Sequence, residues 1–198
     1  MNLPNKLTIF RIILVPIMVI IPYLPVEGDL FSIPITWALV AVIFVIASIT
    51  DKLDGYLARS RNQVTTFGKF LDPIADKILV LAVMIMLVEA SKLPAWIPVV
   101  VLFREFLVSG YRLVAVEKSG NVIPASIWGK IKTVTQMAGL IVALIDMNSF
   151  GKFFDGSLNG LNLLINIAST SILFLSVVAT VFSGWTYLKN GKDVLEDK

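Results

Sequence analysis

Six apolar stretches, near residues 7–26, 33–57, 69–89, 93–117, 128–148 and 160–188, account for most of this chain. At about 1.5 Å of rise per residue, each is long enough as a helix to cross a hydrocarbon layer roughly 30 Å thick. Hydrophobic residues make up 57% of the sequence and the mean hydropathy is +0.84, well above an ordinary soluble domain. The first stretch contains Arg11 and runs past residue 20 without a small-residue cleavage pattern, so it reads as a retained span. The expected fold is all-α: a polytopic membrane protein, a bundle of six transmembrane helices. No linker, low-complexity tract or fixed-period repeat divides it, so residues 1–198 read as a single domain.

Six spans place both termini on one side. Of the 17 lysines and arginines, only Lys92 and Lys152 then fall on the opposite side. Positive charge marks the cytoplasmic face, so both termini are expected there. The glycine-rich segment 149–160 reads as an outer loop.

Composition also restricts the chemistry. The chain has no cysteine and no histidine. Disulfides, thiolate nucleophiles, imidazole-bound zinc and serine–histidine triads are all excluded. Aspartate, glutamate, lysine and arginine must do the work.

Four aspartates stand out. Asp51 and Asp54 lie three apart at the end of the second apolar run, with Gly55 and Ala58 on the same helical stripe. Gly68, Asp72 and Asp76 form a second stripe at the start of the third run. A charged carboxylate at the centre of a membrane helix costs roughly 2.5–3.5 kcal/mol on insertion scales, so a cluster of four needs compensation. Asp51 lies about 24 Å of helix from Ile35, and Asp76 about 20 Å from Glu89, which sets the two stripes at similar depth. Gly55, Ala58 and Gly68 keep those faces small enough for a ligand or backbone to approach. Pro73 lacks an amide donor and is best tolerated in a first turn, so the third helix is expected to start just before it.

Clustered carboxylates repel one another, and a hard divalent cation, Mg²⁺ or Mn²⁺, resolves the repulsion through oxygen ligands shared with phosphates. Two such ions about 3.5–4 Å apart suit an in-line displacement at phosphorus. The plainer alternative is that these aspartates cap helices or pair with Lys52, Arg59, Lys69 and Lys77.

Asp51-x-x-Asp54-Gly55-x-x-Ala58-Arg59, eight residues, then Gly68-x-x-x-Asp72-x-x-x-Asp76 resembles the signature of the CDP-alcohol phosphatidyltransferases at every fixed position. The resemblance implies an integral membrane enzyme with a six-helix core, commonly a homodimer, acting on a CDP-activated lipid and an alcohol. On that pattern Asp51, Asp54, Asp72 and Asp76 hold two Mg²⁺ or Mn²⁺ ions, and Asp76 is the catalytic base. Gly55 and Ala58 would lie beside the cytidine, with Gly68 on the same CDP-lipid surface and Arg59 near the nucleotide or its phosphates. The site would face the cytoplasmic side of a bacterial cytoplasmic membrane, with no nucleic-acid partner.

A second cluster, Arg104-Glu105-x-x-x-Ser109-x-x-Arg112 followed by Gly129-Lys130-x-Lys132-Thr133-x-x-Gln136, bears on the acceptor. Arg104 lies about 15 Å of helix from Pro94, near mid-membrane, where an arginine needs an anion or a water-filled cavity. Arg104 and Arg112 share a face, and with Lys130 and Lys132 they suit an acceptor that carries its own phosphate. Alternatively Arg104 pairs with a carboxylate such as Glu105 from another helix, and the lysines only mark the cytoplasmic side. With the opening Asn5-x-x-Thr8-x-x-Arg11, the pattern most resembles bacterial family members that join CDP-diacylglycerol to sn-glycerol 3-phosphate. Asn5 and Thr8 could reach the nucleotide or phosphate, or could simply begin a helix. Inositol phosphate or phosphatidylglycerol as acceptor is the nearest rival. A cation-coupled transporter is a rival from another class, although transporters spread their charges over several depths and show repeats.

Overall fold

The computed structural model describes residues 2–60, 65–119 and 126–190. Six helices occupy them: α1 (Leu3–Ile20), α2 (Ile35–Ser60), α3 (Thr66–Glu89), α4 (Trp96–Ser119), α5 (Ile127–Ile145) and α6 (Gly160–Asn190). Each expected span has its helix, displaced by a few residues. Among the described residues, two helices pass a test of length and apolarity for crossing a membrane, over Asn5–Tyr23 and Gly160–Lys189.

Three local features depart from expectation. The first helix ends at Ile20, with a 3₁₀ turn over Ile21–Tyr23, rather than running to 26. Pro22 donates no amide hydrogen to continue the helix, and Pro25 disfavours helical backbone at Leu24, which is extended. Between α1 and α2 the chain forms a minimal antiparallel pair, β1 (Asp29–Leu30) with β2 (Ile33–Pro34). Its turn residues Phe31 and Ser32 both have positive φ, 51° and 65°, the geometry that matches strand twist in a two-residue hairpin. Finally, α3 starts at Thr66, so Pro73 lies inside it and not at its first turn. The hydroxyl of Thr65 caps the helix by accepting the Gly68 amide at 3.0 Å, so nucleation does not depend on the proline.

The chain packs as two compact units, Met1–Leu93 with Leu140–Ser149, and Pro94–Gly139 with Phe150–Lys198. In the first, α1 lies against α2 and α3. Met18, Val40, Phe44, Ala47, Ala75, Leu79, Val83 and Leu87 are fully enclosed there. Beyond α3, the Lys92 ammonium stands 4.3 Å over the Trp37 ring and 3.5 Å from the Leu144 carbonyl. Burial pushes this ammonium down to about 8, against the opposing attraction of the Asp146 carboxylate.

In the second unit α4 lies against α6, and Val108, Tyr111 and Tyr187 form a buried cluster with Leu107 beside it. Gly139 brings α5 close to α6: a Cβ there would stand 2.9 Å from Leu173 Cδ2 and 3.2 Å from its backbone nitrogen. Ahead of α6, Gly151 and Gly156 bracket a 3₁₀ turn with φ of 75° and 70°. Asn166 accepts the Phe153 amide at 2.9 Å, which fits a packing role for that asparagine.

Both units are apolar outside, and each buries polar groups beside its apolar core. Large apolar residues are exposed on every helix, including Ile13, Val42, Ile85, Phe106, Val134 and Phe174. Buried inside are Asn5, Thr8, Arg11, Lys132, Gln136, Thr180 and Ser183. A water-soluble fold shows the reverse arrangement, and an outer surface of this kind is suited to lipid.

Candidate functional site

The aspartates meet a polar stripe on α1. Asn5, Thr8 and Arg11 recur every third residue on one face and are 8%, 1% and 0% exposed. Each reaches a different part of the carboxylate region. The Arg11 guanidinium lies 2.6 Å from Asp51 Oδ1 on α2. Thr8 donates to Asp72 Oδ1 on α3 at 2.7 Å. Asn5 Oδ1 accepts from the Thr65 hydroxyl at 2.9 Å, and that hydroxyl in turn caps α3. One face of α1 thus ties the end of α2 to the start of α3.

Gly68 keeps this junction closed. A Cβ at that position would stand 3.0 Å from Asn5 Oδ1, 3.2 Å from Thr65 Oγ1 and 3.7 Å from Asp72 Oδ2. Asp76 is half-buried one turn beyond Asp72, and Gly55 is half-buried one turn beyond Asp51. The side chains of Asp54, Ala58 and Arg59, all singled out by the sequence, lie outside the described residues. Among the described residues no three carboxylates form a metal-holding group. The donor set fits a hard cation nonetheless. Asp51 and Asp72 offer carboxylate oxygen, with Arg11 at Oδ1 of Asp51 and Thr8 at Oδ1 of Asp72.

The basic residues assemble in the second unit, although not all of them. Glu105 Oε1 bridges Arg104 Nη1 at 2.8 Å and Lys132 Nζ at 2.7 Å. The carboxylate partner of Arg104 is therefore its own neighbour in sequence. Arg104 also donates through Nη2 to the Ser183 hydroxyl, and Arg112 donates through Nη2 to the Tyr187 hydroxyl. The Tyr187 ring lies 5.8 Å from the Arg104 guanidinium carbon and 5.3 Å from that of Arg112. Both guanidinium Nε atoms are buried without a hydrogen-bond partner among the described residues. Lys132 and Gln136 are buried one turn apart on α5, whereas Lys130 is exposed. Residues two apart on a helix point to different sides, so the two lysines do not act on one face.

Two cations, Arg104 and Lys132, thus share the Glu105 carboxylate, and Arg112 joins them through Tyr187. The sequence analysis did not include α6 in this cluster. The signal was present as polar residues three or four apart in two runs, Asn166 with Thr170, then Ser176, Thr180, Ser183 and Tyr187, on an otherwise apolar helix.

Comparison with known proteins places the chain among relatives. The family model described as CDP-alcohol phosphatidyltransferase matches residues 1–184. The chain is 41% identical to the CDP-diacylglycerol–glycerol-3-phosphate 3-phosphatidyltransferase of Bacillus subtilis (strain 168), over 98% of this chain and 97% of the relative. It is 38% identical to the protein of that name from Haemophilus influenzae, covering 99% and 96%. To that from Escherichia coli (strain K12) it is 34% identical, covering 100% and 98%.

Proposed function

The chain belongs to the CDP-alcohol phosphatidyltransferase family, and on that premise we propose that it transfers a phosphatidyl group from CDP-diacylglycerol to sn-glycerol 3-phosphate. The products are phosphatidylglycerol phosphate and CMP, a step of phospholipid biosynthesis. The observation that carries the acceptor is the cation cluster of half-buried Arg104 and Arg112 and buried Lys132, which the single carboxylate of Glu105 only partly neutralises. A phosphorylated acceptor supplies the dianion that such a cluster suits, whereas an uncharged alcohol does not.

In the reaction an acceptor hydroxyl forms a new bond to the lipid-side phosphorus while the bond from that phosphorus to CMP breaks. Asp76 takes the hydroxyl proton. A carboxylate is a weak base for an alcohol, so the transfer occurs late, as the oxygen acquires bond order to phosphorus. Asn5, Thr8, Gly55, Ala58, Arg59 and Gly68 form the surface for the CDP-lipid, and Arg104, Arg112 and Lys132 orient the acceptor phosphate. Lys130 adds positive charge from an exposed position. Asp51, Asp54, Asp72 and Asp76 would hold two Mg²⁺ or Mn²⁺ ions. When bound, these neutralise charge on the diphosphate oxygens. Arg11 and Thr8 hold Asp51 and Asp72 in place from α1.

The reading extends to a single catalytic domain that spans a bacterial cytoplasmic membrane six times, with both termini and the site on the cytoplasmic side, as a homodimer. The positive-charge asymmetry and the apolar outer faces of all six helices support the spans.

Purified protein incubated with CDP-diacylglycerol and a panel of alcohols tests the reaction. CMP should appear with sn-glycerol 3-phosphate and not with serine, inositol phosphate or phosphatidylglycerol. CMP release with one of the others alone would reassign the acceptor.

A further inference from the structure

The cation cluster contains two guanidiniums whose α6 partners carry no charge. Arg104 donates to Ser183 and Arg112 to Tyr187. Ser183 and Tyr187 lie one turn apart on α6, and both are buried. Gly184, between them, packs on the arginine stem: a Cβ there would stand in ordinary contact, 3.5 Å from Arg104 Cγ. Gly129 on α5 packs at the other end, where a Cβ would lie 3.5 Å from both Arg104 Nη2 and Ser183 Oγ.

Two physical points make this more than core packing. A buried guanidinium could be fixed more strongly by a carboxylate, but a carboxylate would cancel the charge that an anionic ligand needs. Arg104 has one such carboxylate, Glu105, which it shares with Lys132; the serine and tyrosine hydroxyls fix the guanidinium edges without adding a second negative charge. The tyrosine also offers its ring. Two guanidiniums on one helix face repel each other, and an aromatic face within about 6 Å of both attracts each of them.

We propose that Ser183 and Tyr187 are positioning residues for the acceptor phosphate: they hold Arg104, whose Nη1 pairs with Glu105, and Arg112 as a clamp that keeps net positive charge, and thereby set affinity for the phosphorylated alcohol. The inference rests on the reading above, in which the two arginines bind that phosphate. It brings α6 into the site, and the hydroxyls of Ser183 and Tyr187 act through the arginines rather than on substrate.

The test uses the full-length enzyme and compares Ser183→Ala, Ser183→Thr, Tyr187→Phe, Arg104→Gln and Arg112→Gln, with KM for glycerol 3-phosphate, KM for CDP-diacylglycerol and kcat measured separately. Loss of one hydrogen bond to a charged group should raise the acceptor KM of Ser183→Ala and of Tyr187→Phe about 10-fold. The donor KM should hold within about 2-fold, because the proposed CDP-lipid surface is formed by other residues. Ser183→Thr keeps the hydroxyl and should stay near the wild-type acceptor KM. Tyr187→Phe keeps the ring and should add little once Arg112→Gln is present, since a residue acting through Arg112 loses its effect with it. If the arginine variants raise the acceptor KM while Ser183→Ala and Tyr187→Phe do not, the positioning role is wrong and the acceptor site stands. If the arginine variants leave the acceptor KM unchanged, the acceptor site itself is wrong and the positioning role falls with it. Equal loss in both KM values, with full additivity in the double variant, would mean a structural role only and would also overturn the proposal.

Discussion

Single residues decide how the carboxylate region is held. Arg11 has no exposure, whereas the side chain of Asp51 is 35% exposed, so the two halves of this pair are not equivalent. Asp51→Asn takes a counter-charge from beside a guanidinium that cannot reach water. That loss costs up to about 3–5 kcal/mol, the range for breaking buried pairs. Arg11→Met leaves a carboxylate that water can already reach, and should cost less. Thermal unfolding in detergent should therefore rank Asp51→Asn below Arg11→Met, with both inactive for CMP release. The opposite ranking would show that Asp51 is not what offsets the buried charge.

Lys92 provides a second test at this scale. Burial lowers its ammonium from 10.5 to about 8 in the folded protein, so between those values the unfolded chain binds more protons than the folded one. Stability should rise with pH across that window, and the full penalty of the buried charge is present below about 8. Lys92→Met should flatten the rise. An unchanged slope in that variant would mean another group is responsible.

Helix periodicity sorts residues that sequence proximity groups together. On α5, Lys132, Gln136 and Gly139 share the buried face, while Lys130 and Val134 are exposed. Reading Lys130 and Lys132 as one pair followed from their nearness in sequence, but two residues of helix place them on different sides. Lys132→Gln should raise the acceptor KM about 10-fold, through loss of one charge-assisted contact. Lys130→Gln should change it by less than about 2-fold, as expected of an exposed charge. Equal effects would mean that Lys130 turns inward when substrate binds. The same periodicity makes the α1 stripe intelligible. Spacing by three left open whether Asn5, Thr8 and Arg11 served the site or merely began a helix; the packing of α1 against α2 and α3 puts Arg11 on Asp51, Thr8 on Asp72 and Asn5 on the Thr65 cap.

At the scale of the molecule, both units have apolar outer faces and bury polar groups beside an apolar core. Lipid covers the outside of such a chain at little cost, so buried polar groups are the expensive part and need partners within the fold. In the aspartate region Arg11 supplies one positive charge at Asp51 and Thr8 a hydroxyl at Asp72. Divalent ions would supply the remainder, so chelation should abolish CMP release and added Mg²⁺ or Mn²⁺ should restore it. The chelated protein should also unfold at lower temperature, because ligands that bind only the folded state stabilise it by mass action. Full turnover in excess chelator would remove the metals from the account.

The sequence alone determined the six helices, because apolar length and period are local properties that lipid makes decisive. It also determined the family, because the Asp51–Asp76 pattern places every fixed residue at a set spacing. Local rules failed where a local signal met a tertiary or capping alternative. Pro73 looked like a helix start, but the Thr65 cap began α3 a full two turns earlier. Partnership between distant residues could only come from the folded chain. Arg11 with Asp51, Thr8 with Asp72, Arg104 with Ser183 and Arg112 with Tyr187 each join residues on different helices. Spacing along one helix tells which side chains share a face. Which face of another helix lies opposite is set by packing, and packing sums contributions from residues far apart in the chain.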